Sequence, residues 1–214
     1  MLLGSAYING WGVAQDKEQA VTLYRKAADQ GLAEAQYDLG GFYLNGWGVT
    51  KDVQQAIAWH EKSANQGFAQ AMKDLGEIYK LGIGISPDPA KAAGWFRKAV
   101  DAGDVTAMTE LADALLQAPG TPETDREAVK WYRKAADQGL VGAQYTLGVL
   151  YEQGRGVSKD LEAAYVWYEI SETGWQDFEG RKNALSSALT KEQISQAERN
   201  AREYRKAHPP MIVE

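Results

Sequence analysis

A repeat of 36 residues constrains the fold of this 214-residue chain more than any other feature. Alanine-rich segments that contain an aromatic residue and a lysine recur along the chain, and each ends at a glycine. The spacing between these closing glycines is constant: they are Gly31, Gly67, Gly103 and Gly139. A fixed period of about 20–50 residues is typical of repeat proteins, in which each unit buries its apolar face by stacking on its neighbours. The sequence therefore predicts one continuous array of stacked units.

Each complete unit is predicted to contain a first helix and a second helix. Most first helices follow an aspartate, whose carboxylate can accept hydrogen bonds from the free backbone N–H groups of the first turn. These aspartates are Asp16, Asp52, Asp88 and Asp160. In the remaining unit, Thr124 followed three residues later by Glu127 predicts a capping box, and residues 119–122 are interpreted as the loop before it.

The second helix of most units contains a glycine where alanine would favour the helix by about 1 kcal/mol. These glycines are Gly40, Gly76 and Gly148. We expect each of them to mark a close helix crossing, where an aromatic ring of an adjacent helix rests on bare backbone. The third unit, with its second helix predicted at 105–117, has Ala112 instead of the glycine and Leu115 instead of the following tyrosine. We interpret this departure either as an altered turn or as sequence drift.

The repeat pattern predicts two regions in the chain. Residues 1–173 are assigned to the repeat array, with a partial repeat at 1–12 followed by 36-residue repeats, and residues 174–214 to C-terminal capping helices and a short tail. Within the second region, Thr190 and Gln193 predict a capping box at the start of a helix. Because the chain opens in the second half of a unit, we expect upstream repeats before Met1, which leaves both periplasm and cytoplasm open as compartments.

Composition argues against several classes of function. The formal net charge is -6, with no basic stripe of the kind that nucleic acid requires. The chain has no cysteine, and therefore no disulfide, thiolate metal ligand or thiol nucleophile. The sequence contains no sustained apolar run of the kind that inserts into a membrane. We accordingly expect no nucleic acid, no metal and no cofactor.

The chain lacks the residue patterns of a catalytic site. His60 precedes Glu61, but the second histidine of a helical zinc motif is absent. His60 instead occupies the position of Tyr24, Phe96 and Tyr132 in other units, which predicts a half-buried packing residue. The Ser-x-x-Lys and Lys-Thr-Gly motifs of serine β-lactamases are also absent. We predict that the protein is not an enzyme and keep a cell-wall or β-lactam-related hydrolase as the alternative.

The repeated pattern resembles one known family. Leu-Gly-x-x-Tyr-x-x-Gly-x-Gly-Val, then Asp, then Ala-x-x-Trp-Tyr-x-Lys-Ala-Ala-x-x-Gly is similar to the Sel-one-like repeat, a relative of the tetratricopeptide repeat. The resemblance covers about residues 1–173. It implies an all-α fold, a right-handed α–α superhelix that binds other proteins. The cysteine-rich members connected with β-lactam binding differ from this chain, which lacks their cysteines.

The resemblance also implies a set of bacterial roles. They include scaffolds or adaptors in signalling, secretion and envelope processes, and immunity proteins that neutralise a secreted effector. A secreted or periplasmic virulence factor that interacts with a host is the alternative within the same class. In each role the partner is another protein, and we expect this chain to be a monomer.

Charged residues on the first helices are the leading candidates for partner contact. By analogy with tetratricopeptide arrays, first helices line the concave face. The fourth unit places three cations there, Arg126, Lys130 and Arg133, while Arg97 and Glu61 precede Arg133 at equivalent positions one and two repeats earlier. This pattern predicts a site for the acidic surface of another protein. The alternative is an ordinary solvated face.

Two tryptophans in loops form the second candidate. Trp11 and Trp47 occupy equivalent positions between paired glycines, where Ile83 and Arg155 stand in later units, so packing does not require an indole there. Exposed tryptophans are enriched at interface hot spots. Packing of each indole on its own repeat is the alternative.

Overall fold

The predicted all-α architecture is confirmed. The computed structural model describes residues 2–118, 120–171 and 176–208, with only the backbone described for 176–179, and these residues form twelve helices and no strand. In chain order the helices are α1 (Leu2–Asn9), α2 (Lys17–Asp29), α3 (Ala33–Asn45), α4 (Val53–Ala64), α5 (Ala69–Leu81), α6 (Pro89–Asp101), α7 (Ala107–Gln117), α8 (Pro122–Asp137), α9 (Val141–Gln153), α10 (Leu161–Ser171), α11 (Gln176–Ala188) and α12 (Lys191–Ala207).

The chain divides into two compact units, Met1–Asp104 and Val105–Glu214. In the first unit each helix from α1 to α6 packs against the next, as stacked helix pairs require. In the second unit α7 to α10 follow the same order, but α10 then packs more extensively on α12 than on α11. The predicted boundary between 173 and 174 lies outside the described residues and stays a prediction.

The four predicted aspartate caps are confirmed. In each case one carboxylate oxygen accepts a hydrogen bond from the backbone N–H three residues later, at 2.9–3.0 Å. The donors to Asp16, Asp52, Asp88 and Asp160 are the N–H groups of Gln19, Gln55, Lys91 and Ala163. Each cap satisfies one of the free N–H groups that every helix start exposes.

The predicted cap of α8 was wrong by one turn. Thr121, not Thr124, is the N-cap: its hydroxyl accepts from the Thr124 backbone N–H at 3.2 Å, and the Thr124 hydroxyl accepts in return from the Thr121 N–H at 3.1 Å. Pro122 takes the first helical position, where its fixed φ suits the helix and its missing N–H costs nothing. Residues 119–122, interpreted as a loop, therefore include the N-cap and the first residue of α8. The preceding helix, α7, begins at Ala107, two residues later than predicted.

The predicted contact between rings and glycines is confirmed at three repeat junctions. A Cβ added to Gly76 would lie 2.5 Å from the ring of Phe96, and one added to Gly148 would lie 2.5 Å from the ring of Tyr168. At Gly40 the same atom would lie 2.8 Å from the ring of His60. The ring of each first helix thus lies directly on the backbone of the preceding second helix. This close approach explains why these helices tolerate a glycine.

The junction rings differ in whether they also make a hydrogen bond. The tyrosines at this position donate their hydroxyls to a side chain of the preceding second helix or share a hydrogen bond with it: Tyr24 with Ser5, Tyr132 with Asp113 and Tyr168 with Glu152. Ala112 replaces the glycine in the third repeat, yet Tyr132, the ring of the fourth repeat that follows it, is still buried. The aromatic ring is therefore kept in every junction, whereas its polar partner is not.

His60 is fully buried, not half-buried as predicted, while its predicted packing role is confirmed. Its side chain is 0% exposed, and neither ring nitrogen has a hydrogen-bond partner among the described residues. The ring packs at a tilt against that of Tyr37, with ring centroids 5.4 Å apart. Burial lowers the pKa of His60 to about 4, because a charged imidazolium would lose its hydration here. The ring is therefore neutral near neutral pH.

A glycine-to-alanine pair tests the junction contact. We expect Gly76→Ala to lower the free energy of unfolding by about 1–3 kcal/mol, because the new methyl group overlaps the Phe96 ring. Gly94→Ala is the matched control, since Gly94 lies inside α6 with no atom within 4 Å of an added Cβ, and the change should stabilise by up to about 1 kcal/mol. Urea unfolding of both variants measures the difference. Equal effects would contradict the close-contact explanation.

The burial of His60 predicts a pH dependence of stability. Between about pH 6.5 and pH 4 the unfolded chain binds a proton at His60 that the folded chain does not, so stability falls as pH falls through this window. Asp38 and Asp74 make stability rise as pH falls through the same window, because burial raises the pKa of each to about 6. The effect of His60 is therefore isolated by comparing the wild type with His60→Phe, which keeps a ring at the junction and removes the titrating group.

We expect His60→Phe to gain stability relative to the wild type by about 2–3 kcal/mol on going from pH 7 to pH 4. Thermal or urea unfolding at four or five pH values provides the measurement. A stability difference that does not change with pH would show that His60 has the same pKa in the folded chain as in the unfolded chain.

Candidate protein-binding surface

The loops that connect successive repeats are positioned by the second of their two glycines. Gly48 has φ of +67°, and a Cβ added there would lie 2.3 Å from the carbonyl oxygen of Lys17 at the start of α2. Gly156 lies in the same way on the carbonyl oxygen of Asp125, also at 2.3 Å. Only glycine fits both the positive φ and this approach to the backbone. Each such loop is therefore held against the first helix of the preceding pair.

Two tryptophans that precede this glycine, both in the first compact unit, are exposed. Trp47 is 51% exposed and Trp11, its equivalent, is 68% exposed. The ammonium group of Lys17 lies 5.9 Å from the centre of the Trp47 ring, at the outer limit of a cation–π contact. The structure therefore does not bury either indole in its own repeat.

Arg155 occupies the same loop position in the second unit and has a structural role that the sequence did not indicate. Its Nε donates to Asp125 Oδ1 at 3.0 Å, and its Nη2 donates to the carbonyl oxygen of Leu116 at 2.6 Å. Arg155 thus joins the end of α7 to the first turn of α8. No spacing rule predicts this contact, because its partners lie 30 and 39 residues away in sequence.

The predicted first-helix cations differ in their surroundings. Lys130 is exposed and forms no ion pair with any described residue. Arg126 is exposed and pairs with Glu123 at 2.6 Å. Both line a surface depression around Trp131 on α8. An exposed pair of this kind contributes little to stability, so these two cations are available to a partner.

Arg133 is held by aromatic neighbours. It is half-buried, its Nη2 donates to the hydroxyl of Tyr151 at 2.9 Å, and its guanidinium lies 4.6 Å from the centre of the Trp167 ring. Arg25 makes the equivalent hydrogen bond to Tyr43 three repeats earlier. The two remaining charged candidates, Arg97 on α6 and Glu61 on α4, are also half-buried.

The C-terminal helix α12 adds residues that the analysis of the repeats missed. Tyr204 donates its hydroxyl to Asp137 Oδ1 at 2.7 Å and packs edge-on against Trp167, with centroids 5.1 Å apart. His208 stacks on Tyr204, with ring centroids 4.2 Å apart. The sequence predicted a C-terminal capping helix here, but it could not indicate against which helices it packs.

Among the described residues, no group of three or more His, Asp or Glu side chains is arranged to hold a metal ion. Of the helices described, none combines the length and apolar character needed to cross a bilayer.

Substitutions at the loop position separate binding from packing. We expect Trp11→Ser and Trp47→Ser to change the free energy of unfolding by less than about 1 kcal/mol, because the indoles are exposed. Arg155→Ser should cost about 1–3 kcal/mol through the loss of charge-assisted hydrogen bonds to Asp125 and Leu116. Urea denaturation measures all three variants. A large loss of stability in either tryptophan variant would assign the indoles to packing.

Comparison with known proteins agrees with this architecture. The family model described as Sel1 repeat matches residues 1–32, 33–68, 69–104, 105–140 and 141–171. A solved Sel1 repeat protein from Oxalobacter formigenes is 31% identical, with 96% of this chain and 85% of that chain covered and a TM-score of 0.74. No curated protein sequence gives a significant match.

Two further solved structures are more distant. The protein c5321, a protective antigen of uropathogenic Escherichia coli strains with an SLR fold, is 27% identical over 97% of this chain and 52% of that one, with a TM-score of 0.47. The immunity protein Pa5087 of Pseudomonas aeruginosa is 21% identical over 96% and 81% of the two chains, with a TM-score of 0.42.

The family match spans most of the chain, and the Oxalobacter formigenes protein is similar to it in both sequence and fold. The predicted α–α superhelix class is thereby confirmed. Sel1 repeats mediate protein–protein interactions and are generally non-catalytic. The five matched repeats and their helix pairs make this chain a member of the Sel1 repeat family.

Proposed function

We propose that this chain is a non-enzymatic module that binds a partner protein through its tryptophan loops and first helices. The observation that carries the proposal is the exposure of Trp11 and Trp47 at equivalent positions of the first unit. Solvent exposure of two indoles is unfavourable unless a partner covers them, and packing does not require them, since Arg155 fills the same loop position elsewhere.

The cations of α8 form the second contact region in this proposal. Arg126 and Lys130 are exposed, lie one turn apart and can meet carboxylates of an acidic partner. Arg133, on the same helix, is half-buried and contributes at the edge of such a contact. Arg97 and Glu61 are half-buried on first helices of the other compact unit and stay candidates for partner contact there. The two regions lie in different units of the chain, and each is tested separately.

The role we propose is that of a bacterial scaffold or adaptor, or of an immunity protein that neutralises a secreted effector. A host-interacting virulence factor is the alternative. These roles differ in the partner, which would be a component of the same cell, a toxic effector or a host protein.

A hydrolase acting on cell wall or β-lactam is the alternative from a different class. Turnover of a chromogenic β-lactam, abolished by a point substitution in this chain, would establish that alternative.

Affinity capture with matched variants tests the proposal. The wild-type chain, Trp11→Ser/Trp47→Ser and Arg126→Glu/Lys130→Glu are each used to capture proteins from lysate and culture supernatant of the source cell. The control is Arg202→Glu/Lys206→Glu, which makes the same change of charge at the same spacing on exposed positions of α12.

We expect one dominant protein that the control retains and that at least one of the other two variants loses by tenfold or more. Loss with the tryptophan pair assigns the contact to the loops, and loss with the α8 pair assigns it to the first helices. A partner retained equally by all four chains would contradict both assignments. The identity of the captured protein separates scaffold, immunity and host-directed roles.

A further inference from the structure

The C-terminal half of α12 lies on two first helices of the second unit. Tyr204 donates its hydroxyl to Asp137 Oδ1 at the end of α8, at 2.7 Å, and packs edge-on against Trp167 of α10. One residue later, Arg205 Nη2 lies 3.5 Å from Glu169 Oε1 on α10. We call the surface formed by Asp137, Trp167 and Glu169 the α8–α10 face. It shows how a helix that carries tyrosine followed by arginine docks on two neighbouring first helices.

The two acids of this face occur together at one other place among the described first helices. Three repeats earlier, Asp29 on α2 corresponds to Asp137, and Glu61 on α4 corresponds to Glu169. The intervening repeats lack one or both carboxylates at the same two positions, which are held by Asn65 with Arg97 and by Asp101 with Arg133.

The surroundings of Asp29 and Glu61 repeat those of the α8–α10 face as well. Trp59 stands where the second unit has Trp167. Arg25 donates to the hydroxyl of the tyrosine in the next second helix, the same contact that Arg133 makes. We call this surface of the first unit the α2–α4 face, and it comprises Asp29, Ala58, Trp59, Glu61 and Lys62.

The carboxylates of the α2–α4 face are open to a partner. Asp29 is exposed and Glu61 is half-buried, and neither carboxylate forms a hydrogen bond or an ion pair with any residue that the structure describes. In the α8–α10 face, by contrast, Glu169 pairs with both Arg205 and Lys182. The first unit therefore has the same acidic positions without the cation that occupies them in the second unit.

The cations beside these acids do not prevent such docking. Arg25 and Lys26 on α2 correspond to Arg133 and Lys134 on α8. The α8–α10 face binds Arg205 in the presence of both. An ion pair in direct contact therefore outweighs the repulsion from cations farther away.

Lys62 distinguishes the α2–α4 face from the α8–α10 face, which has Ile170 at the same position. The Lys62 ammonium lies 3.6 Å from the centre of the Trp59 ring, whereas the Tyr204 ring packs against the equivalent tryptophan. Lys62 is exposed, and the cation–π contact of an exposed lysine is weak. A docking tyrosine ring can therefore replace the ammonium beside Trp59.

Only the C-terminal half of α12 has a possible counterpart at the α2–α4 face. In the other half, Ala197 belongs to one apolar cluster with Ala164 and Tyr165 of α10. The corresponding Ala56 and Ile57 of α4 are already buried within the first unit. The docking segment is therefore about two helical turns long.

We propose that the α2–α4 face binds a helical segment of the partner protein that carries tyrosine followed by arginine. The tyrosine hydroxyl donates to Asp29, and the guanidinium pairs with Glu61. The tyrosine ring lies beside Trp59 in place of the Lys62 ammonium, and the exposed Ala58 leaves room for the helix backbone. The inference rests on the proposed protein-binding function and names the docking segment of the partner.

A peptide with the sequence of residues 199–208 tests the face without knowledge of the partner. It is kept helical by a lactam that joins Glu203 to Ala207→Lys, two positions that are exposed in α12. The control peptide carries Tyr204→Phe and Arg205→Gln. Each is titrated into the full ¹⁵N-labelled chain and followed by NMR. We expect the first peptide to shift the Trp59 indole signal and to bind at least tenfold more tightly than the control.

Two pairs of substitutions in the chain locate the bound peptide. Asp29→Asn/Glu61→Gln should weaken it at least tenfold, because both proposed contacts lose their charge. Asp101→Asn/Glu203→Gln, the same change at exposed positions outside the face, should leave its affinity unchanged. Equal binding of the two peptides, or unchanged binding in Asp29→Asn/Glu61→Gln, would overturn the proposal.

Two further variants test the fit of the helix. Lys62→Ile introduces the residue of the α8–α10 face and should strengthen peptide binding at least threefold, because no ammonium has to be displaced from Trp59. Ala58→Arg should abolish binding by blocking the helix, and its exposed position keeps folding intact. Weaker binding in Lys62→Ile, or full binding in Ala58→Arg, would contradict the proposed position of the helix.

The partner experiment separates this inference from the proposed function. A captured partner that Ala58→Arg still binds at full strength would overturn the role of the α2–α4 face in recognition and leave the interaction module intact. Self-association of the chain that Ala58→Arg abolishes would make a second copy the occupant and overturn the assignment to a partner. Selective peptide binding without any captured partner would leave the face in place and contradict the module.

Discussion

The contact between an aromatic ring and a bare helix backbone is the interaction on which this structure depends. At Gly76 and Gly148 the ring of the next first helix lies where a side chain would otherwise be, so the two helices approach more closely than side chains usually permit. The ring is buried at each junction, and the burial contributes about 1.5–3 kcal/mol for a large side chain. Each ring belongs to one helix-pair repeat and each glycine to the repeat before it. A single repeat therefore does not complete its core alone.

The same repetition leaves certain positions free for function. In the loops, the second glycine lies against the preceding first helix, and the residue before it is not needed for this contact. That residue is an exposed tryptophan at 11 and 47 but an arginine at 155, where it joins two helices. A position that the repeat does not constrain can therefore serve binding in one unit and stability in another. Exposure and hydrogen bonding, not the residue's place in the repeat, separate the two uses.

The second unit shows how departures from the repeat create a local pocket. α8 starts one turn earlier than the period predicts because Thr121 and Thr124 cap each other ahead of Pro122. At the other end of the unit α12 packs on α10 and brings Tyr204 against Trp167. Arg133, whose equivalent Arg25 has no such neighbour, thereby lines a pocket closed by a helix outside the repeats. The pocket arises from the regular array together with the element that ends it.

The sequence alone determined the helix pairs, the aspartate caps and the ring-on-glycine contacts, because each is a local or strictly periodic requirement that recurs at equivalent positions. It also singled out Trp11, Trp47 and the cations of α8, although not which of them are exposed. Only the tertiary structure decided that His60 is fully buried, that Arg133 lies against Trp167 and that Arg155 reaches Leu116. These contacts join residues far apart in sequence, and their geometry depends on how neighbouring helices pack, which the period does not specify.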